Sequence, residues 1–343
     1  METNVQSEPI VAIAGVTGAV GAEFIATMDR RKFPVRKLKA LASARSVGKT
    51  VDFRGETIAV EELTETSFEG VDIALFSAGG SVSKEYAPKF AAAGALVIDN
   101  SSAFRNDDDV PLVVAEVNPE HLRSVPRGIV ANPNCSTMQM LVALAPIHRA
   151  VGIVRINVAT YQSVSGTGQR GLRELGRQTA AILNFQSPLP EVYPVQIAFN
   201  VIPHGGDFLD NGYTSEEMKL VWETRKILSA PEILVNATVV RVPVFFGHSE
   251  AVHIETREKI SAAEARSLLA TAPGVEVVDD PVPGGYPTPV THASGRDPVF
   301  VGRIREDISH PRGLDLWVVS DNIRKGAALN AVQLAELWLK NRA

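Results

Sequence analysis

The chain has 343 residues, a formal net charge of -5 at pH 7, 45% hydrophobic residues and 21% charged ones, so two domains of an ordinary globular protein are expected. The mild acidity, with no dense basic run, argues against nucleic-acid binding, and no apolar run approaches the roughly 18 residues of a membrane helix. The single cysteine excludes an intramolecular disulfide framework, and with a polar stretch from Met1 to Pro9 in place of a signal peptide it leads us to expect a cytoplasmic protein.

Ile10 to Ala14 reads as a buried strand that runs into Gly15-Val16-Thr17-Gly18-Ala19-Val20-Gly21, after which Phe24, Ile25 and Met28 recur at helical spacing. A GxxGxxG turn between strand and helix puts glycines where the chain turns tightly and approaches a phosphate closely, with the helix N-terminus ready for a pyrophosphate. The context predicts a dinucleotide site. A tight turn without a ligand is the bland alternative. A second strand, Val35 to Ala42, ends in Ser43-Ala44-Arg45-Ser46-Val47-Gly48-Lys49. NAD-selective sites place an acid about 20 positions after the glycines; Ser43, Arg45, Ser46 and Lys49 suit a 2′-phosphate, and NADP is expected over NAD.

Val71 to Phe76 is the next strand, followed by the small residues Ser77-Ala78-Gly79-Gly80-Ser81 and a helix from Val82 to Ala93. Ala95 to Ile98 supplies another and leads to Asp99-Asn100-Ser101-Ser102-Ala103-Phe104-Arg105, where the arginine can present a fork to an anion. Strands alternating with helices to about residue 132 imply a doubly wound parallel sheet.

The only cysteine stands in Asn132-Pro133-Asn134-Cys135-Ser136-Thr137, before the helical run Met138 to Ala150. Pro133 discourages helix before it, so the helix is expected to start at or just after Asn134, with Cys135 in its first turn. Unpaired N–H groups and the positive end of the helix dipole favour a thiolate there. A small buried apolar side chain is the competing reading of a lone cysteine.

Beyond it the pattern changes. Ile153 to Gln162 is a long β-type run, then come Ser163-Val164-Ser165-Gly166-Thr167-Gly168 and a helix from Gln169 to about Asn184. Residues 185 to 214 read as a long loop of the kind that serves an active site or a subunit contact. Ser215 is expected to cap a helix with Glu216 and Glu217 in its first turn, which capping chemistry alone explains. A strand from Val235 to Phe246 carries Arg241, and Gly247-His248-Ser249 turns into another, Glu250 to Glu258. His248, at the turn, is placed to reach a cleft, whereas His253 reads as a surface or packed side chain. Residues 272 to 298 are Pro- and Gly-rich. Val299 to Arg305 and Leu314 to Ser320 are expected as antiparallel neighbours, with Asp321-Asn322 capping a closing helix, Ile323 to Lys340.

A dinucleotide site, a helix-terminal thiol, a turn histidine and scattered cations combine into one chemistry. A thiolate that attacks an acyl centre makes a thioester, a reduced nicotinamide can deliver a hydride to its carbonyl, and a histidine can serve as acid–base catalyst.

The glycine turn, Ser77-Ala78-Gly79-Gly80, Asn100 to Arg105, Asn132 to Thr137, Arg241-Val242-Pro243-Val244 with Gly247-His248-Ser249, and Asp321-Asn322-Ile323-Arg324-Lys325-Gly326-Ala327-Ala328 together resemble aspartate-semialdehyde dehydrogenase, in order along nearly the whole chain. The resemblance implies a Rossmann-type domain of residues 1–133 plus 322–343 and an α+β catalytic and dimerisation domain of residues 134–321 with a mixed or antiparallel sheet, in a homodimer or homotetramer. It implies NADPH-dependent reductive dephosphorylation of L-aspartyl 4-phosphate to L-aspartate 4-semialdehyde and phosphate, on the route to lysine, threonine and methionine. By motif, Cys135 is the expected nucleophile, His248 the acid–base catalyst and Gln162 the residue that orients the acyl group. Arg241 is expected on the substrate α-carboxylate, Glu216 on its ammonium with Glu217 as the alternative, and Arg105, Lys219 and Asn134 on phosphate. The implied cofactor contacts are Gly15, Thr17, Gly18, Ala19, Val20, Gly21, Ser43, Arg45, Ser46, Ser77, Ala78, Gly79, Ser165, Gly166, Gly168 and Asn322. Thr167 departs from the family pattern, which often has alanine there. N-acetyl-glutamyl-phosphate reductase, a non-catalytic paralogue and a cysteine hydrolase are the competing readings; the last leaves the glycine turn unexplained.

Overall fold

In the computed structural model, which describes residues 8–342, strand β1 (Ile10–Ala14) runs directly into the glycine turn and helix α1 (Ala19–Arg30). There follow β2 (Lys37–Ala42), the hairpin of β3 (Thr50–Phe53) and β4 (Glu56–Glu62), β5 (Ile73–Phe76), α2 (Gly80–Ala92), β6 (Leu96–Asp99) and β7 (Ile129–Ala131). They form a seven-stranded sheet in the order β3-β4-β2-β1-β5-β6-β7. Every pairing is parallel except β3 with β4. The order reverses between β1 and β5, which makes the carboxyl end of β1 a topological switch point, where open α/β sheets bind ligands. The doubly wound sheet expected from the alternating pattern is present. The hairpin is an addition that the pattern did not reveal, because only Val60 and Phe53 are buried in it and its charged residues face water.

The chain divides into two units, Met1–Pro133 with Ala327–Ala343, and Asn134–Gly326. The second unit contains α3 (Cys135–Val151), β8 (Ile153–Gln162), α4 (Gln169–Leu183), α5 (Ser215–Ile227), β9 (Leu234–Arg241), β10 (His248–Thr256), α6 (Ala262–Ala270), β11 (Val275–Val277), β12 (Val299–Glu306) and β13 (Gly313–Ser320). Its six-stranded sheet has the order β11-β12-β13-β10-β8-β9. The pairs β8–β9 and β11–β12 are parallel and the rest antiparallel, so the sheet is mixed. Helix α3 packs against this sheet and against α5 and α6. It buries Met138, Met140 to Ala145 and Ile147, so it is apolar nearly all round, as a helix covered on several sides must be.

Several local expectations are corrected. Strand β9 stops at Arg241 rather than at Phe246: pairing with β8 ends at Gln162–Arg241, and Pro243 has no N–H to continue a ladder. Strand β10 begins at His248, which pairs with Ser320, so the histidine is a strand residue and not a turn residue. The cap of α5 is Thr214 and not Ser215. Thr214 Oγ1 accepts from Glu217 N–H and the Glu217 carboxylate accepts from Thr214 N–H. Within the Pro- and Gly-rich stretch 272–298, for which no element was expected, lies the short strand β11.

The closing segment starts with a π-helical turn, Arg324–Ala328, before α7 (Leu329–Arg342), and Asp321 Oδ1 caps it by accepting from Ile323 and Arg324 N–H. The return to the first unit falls at Ala327; 322 was the expected residue. Ala331, Val332, Leu334 and Ala335 enter the core of the first unit with Val11, Ile13, Phe24 and Ile98. Asn330 ties α7 in by donating to Val113 O and Asn132 Oδ1 and accepting from Ala115 N–H.

Candidate active site

Cys135 is the first residue of α3 and is partly exposed. Asn134 is the N-cap, held extended before the helix, and its Oδ1 accepts from Ser136 N–H at 3.0 Å and Thr137 N–H at 3.3 Å. The dipole of a long apolar helix thus ends at the cysteine, as the proline–asparagine pair predicted. Gln162, the last residue of β8 and 1% exposed, donates from Nε2 to Ser136 Oγ at 2.9 Å. That bond fixes the amide next to the cysteine.

His248 is fully buried, and its Nδ1 accepts Ser163 N–H at 3.0 Å. A backbone N–H is always a donor, so Nδ1 carries no proton and the neutral ring is protonated on Nε2. Nε2 has no hydrogen-bond partner among the described residues. Burial first, then the Arg241 cation, depress the His248 pKa to about 3, against weaker upward pulls from Glu216 and the Gly247 backbone. The ring is therefore a neutral donor at Nε2 over the physiological range.

Arg241, at the end of β9 and 9% exposed, donates from Nη1 to Ser163 O at 2.8 Å, while its buried Nε has no partner among the described residues. A guanidinium held on one side with a free Nε invites a carboxylate. Gly166 makes the approach possible. A Cβ there would stand 2.9 Å from Arg241 Nη1 and 3.3 Å from His248 Nε2. The loop carrying Gly166 is clamped by Asn322, whose Oδ1 accepts from Ser163 Oγ, Ser165 Oγ and Gly247 N–H. Thr167 Oγ1 accepts from Tyr193 OH at 2.9 Å, so the unusual hydroxyl is anchored to the long loop.

Glu216 Oε1 accepts from Asn134 Nδ2 and Oε2 from Lys219 Nζ, each at 2.7 Å. Burial alone would raise its pKa, but Lys219, Asn134 and Arg241 outweigh it and hold the carboxylate below the usual range. Glu217 has other work: its oxygens accept from Thr214 and Val239 N–H. Glu223, which the sequence reading missed, accepts Asn134 N–H at 2.6 Å. It lies two turns after Glu216 on the same helix, a signal that helical periodicity offered. The second unit thus brings together Cys135, Asn134, Gln162, Glu216, Lys219, Arg241, His248, Ser165, Gly166 and Asn322 in linked contacts. Gly168 only opens α4, in a left-handed conformation with φ 75°.

In the first unit, a cleft of about 530 Å³ is lined by Gly15, Thr17, Gly18, Ser43, Arg45, Ser77 and Ala78 among others. A Cβ on Gly15 would lie 2.5 Å from Ser77 O, and one on Gly21 2.3 Å from Gly15 O, so the turn is built around bare backbone. Helix α1 has no side-chain cap, which leaves its first N–H groups for a phosphate. Ala19, Val20 and Gly21 form its first turn, and Gly79 precedes α2 with φ 94°. Thr17 Oγ1 and Ser46 Oγ lie 3.3 Å apart, and Arg45 is exposed at the rim. Glu62, at the end of β4 and not on β2, also lines the cleft. These features fit a dinucleotide. Arg105, also in this unit and 8% exposed, donates from Nη2 to Asn100 O at 3.1 Å.

Two family models match the chain, the semialdehyde dehydrogenase NAD-binding domain over residues 10–125 and the semialdehyde dehydrogenase dimerisation domain over residues 144–325. Fold and matches together define an oxidoreductase of the semialdehyde dehydrogenase class that takes a nicotinamide cofactor. A curated aspartate-semialdehyde dehydrogenase from Legionella pneumophila is 60% identical over 328 residues, 95% of this chain and 94% of the relative. The crystal structure of aspartate semialdehyde dehydrogenase II complexed with ASA, from Vibrio cholerae, is 54% identical with a TM-score of 0.96, covering 98% of this chain and 100% of that one. More distantly, aspartate semialdehyde dehydrogenase with NADP from Candida albicans is 25% identical with a TM-score of 0.75, covering 98% of this chain and 99% of that one. The chain belongs to the aspartate-semialdehyde dehydrogenase family.

Proposed function

We propose that the protein catalyses the NADPH-dependent reductive dephosphorylation of L-aspartyl 4-phosphate to L-aspartate 4-semialdehyde and phosphate, through a thioacyl intermediate on Cys135. The observation that carries this reading is the convergence of a helix-terminal thiol, a Gln162 amide fixed beside it, and an unpartnered Nε2–H of His248. The Cys135 thiolate attacks the acyl carbon, the carbon–sulfur bond forms, and phosphate leaves with the electrons of the broken carbon–oxygen bond. Gln162 orients the acyl group. The Nε2–H of His248 donates to the oxygen on which negative charge develops, which suits its neutral tautomer. A bound NADPH would supply a hydride to the thioester carbonyl carbon, and the carbon–sulfur bond formed earlier then breaks, releasing the aldehyde and returning Cys135 as its thiolate.

Substrate recognition follows from the charges. Arg241 offers its Nε side to the α-carboxylate, and Glu216, held ionised, takes the α-ammonium. The backbone bonds of Glu217 favour Glu216 over it for that task. Lys219, Asn134 and Arg105 are the proposed phosphate ligands. The ionised Glu216 supports the free-amine substrate over an N-acetylated one, which carries no ammonium for it to bind. NADP over NAD rests on Ser43, Arg45 and Ser46 at the cleft and on the cofactor of the Candida albicans relative. Gly15, Thr17, Gly18, Ala19, Val20, Gly21, Ser77, Ala78 and Gly79 are the proposed contacts in the first unit, with Ser165, Gly166, Gly168 and Asn322 from the second.

The roles proposed for the two units, 1–133 plus 327–343 and 134–326, are cofactor binding and catalysis with dimerisation. We also assign the protein a homodimeric state, a cytoplasmic place and a step toward lysine, threonine and methionine. The test runs the reaction in reverse. NADP reduction by L-aspartate semialdehyde is expected to need phosphate, and a rate indifferent to phosphate would overturn the thioacyl route. Activity with N-acetyl-glutamate semialdehyde instead would transfer the assignment to that reductase.

A further inference from the structure

We propose that Glu250 is a positioning residue of this active site, acting through Ser136 and Gln139 of α3 on Gln162 and His248. The proposal rests on the reading of Cys135, Gln162 and His248 given above. Glu250 is the third residue of β10, two after His248 and therefore on the same face of the strand, and it is 0% exposed. Among the described residues neither carboxyl oxygen has a hydrogen bond of normal geometry, yet Ser136 and Gln139 are the polar side chains that act on it. Ser136 Oγ accepts from Gln162 Nε2, and Gln139 Nε2 donates to His248 O at 3.4 Å. Gln139 Oε1 is buried and lacks a donor among the described residues.

A carboxyl that keeps its proton completes this set and a carboxylate does not. Its O–H supplies the donor that Gln139 Oε1 lacks, and its carbonyl takes the Ser136 hydroxyl proton, since Ser136 Oγ already accepts from Gln162. The chain then runs Gln162 to Ser136 to Glu250 to Gln139, whose Nε2 returns to the His248 carbonyl. The groups facing Glu250 carry no charge: Ser136 and Gln139 from α3, Thr160 opposite on β8 and Val318 opposite on β13. The titratable groups adjoining the cluster are Cys135, one residue before Ser136, and His248. Burial pushes the Glu250 carboxyl well above the usual range, with Gln139 and Ser136 softening the effect.

The native protein and its Glu250→Gln and Glu250→Leu variants test this. Glutamine keeps both a donor and an acceptor, and leucine keeps only comparable bulk. Glu250→Gln is expected to hold kcat for the phosphate-dependent reaction within about threefold. Glu250→Leu is expected to lose about 30-fold or more in kcat with the semialdehyde KM little changed, and to alter the rate of Cys135 alkylation by iodoacetamide several-fold. A role in packing alone would move the melting temperature without this split. Native kcat in Glu250→Leu, or equal losses in both variants, would overturn the proposal. The melting temperature of Glu250→Gln is also expected to rise relative to the native protein as pH goes from 5 to 8, because only the native unfolded chain gains by ionising there. A gap independent of pH would mean the native carboxyl is ionised. If the native protein proves inactive, the functional reading fails, while alkylation and melting still decide the part played by Glu250.

Discussion

At position 166 a single missing methyl group decides how closely Arg241 and His248 can approach the loop. Gly166→Ala puts a Cβ 2.9 Å from Arg241 Nη1, and the guanidinium, pinned to Ser163 O, must shift. The expected outcome is a loss of about 10–100-fold in kcat/KM for the semialdehyde at a nearly unchanged melting temperature, measured by steady-state kinetics and calorimetry. Arg241→Lys keeps the charge and removes the fork, so KM is expected to rise about 10-fold or more. His248 makes a pH prediction whose sign is set by its depressed pKa of about 3. The unfolded ring takes a proton near pH 6.5 and the folded one does not, so stability is complete above that pH and falls by about 1.4 kcal/mol per pH unit below it until about pH 3. Urea midpoints of native protein and His248→Gln between pH 7 and 5 check this, with the variant losing less. The residues legible in the sequence were those whose chemistry is local: Cys135 from its place before a helix, and the glycines from their turn. The tautomer of His248 was not, because Ser163 N–H reaches it from 85 residues away in sequence.

Elements follow the same division between local and distant causes. Strand β1 and helix α3 were readable because buried apolar runs and a proline–asparagine start are sequence-local signals. The end of β9 was read too far along because Val242 and Val244 to Phe246 are β-prone types, although Pro243, with no N–H for a ladder, is a local mark of the stop that the end of pairing with β8 makes plain. Ser215 and Thr214 are equally good caps by type, and the reciprocal bond from Glu217 selects the threonine. Thr214→Ala is expected to cost about 1 kcal/mol of stability and, because α5 carries Glu216 and Lys219, to weaken phosphate saturation of the reverse reaction. A denaturation midpoint equal to that of the native protein would deny the capping role.

On the scale of the whole molecule, the last helix belongs to the core of the first unit, although nearly 200 residues of the second unit intervene. Truncation before Leu329 removes Ala331, Val332, Leu334 and Ala335 from that core and Asn330 from its bonds, and is expected to leave a chain that binds a hydrophobic dye and shows no cooperative melting of that unit. The second unit exposes Phe185, Leu183, Leu189, Phe199 and Phe208, more apolar surface than isolated side chains explain. It is also the unit matched by the dimerisation-domain model, so the unpatterned loop of residues 185–214 is the proposed subunit contact. No helix among the described residues is long and apolar enough to cross a membrane. The most direct test of the central claim follows NADP reduction by L-aspartate semialdehyde, with and without phosphate, for the native protein and Cys135→Ser. A phosphate-dependent rate that falls by about 1,000-fold or more in the variant is predicted. A variant that retains the native rate would contradict the thioacyl mechanism.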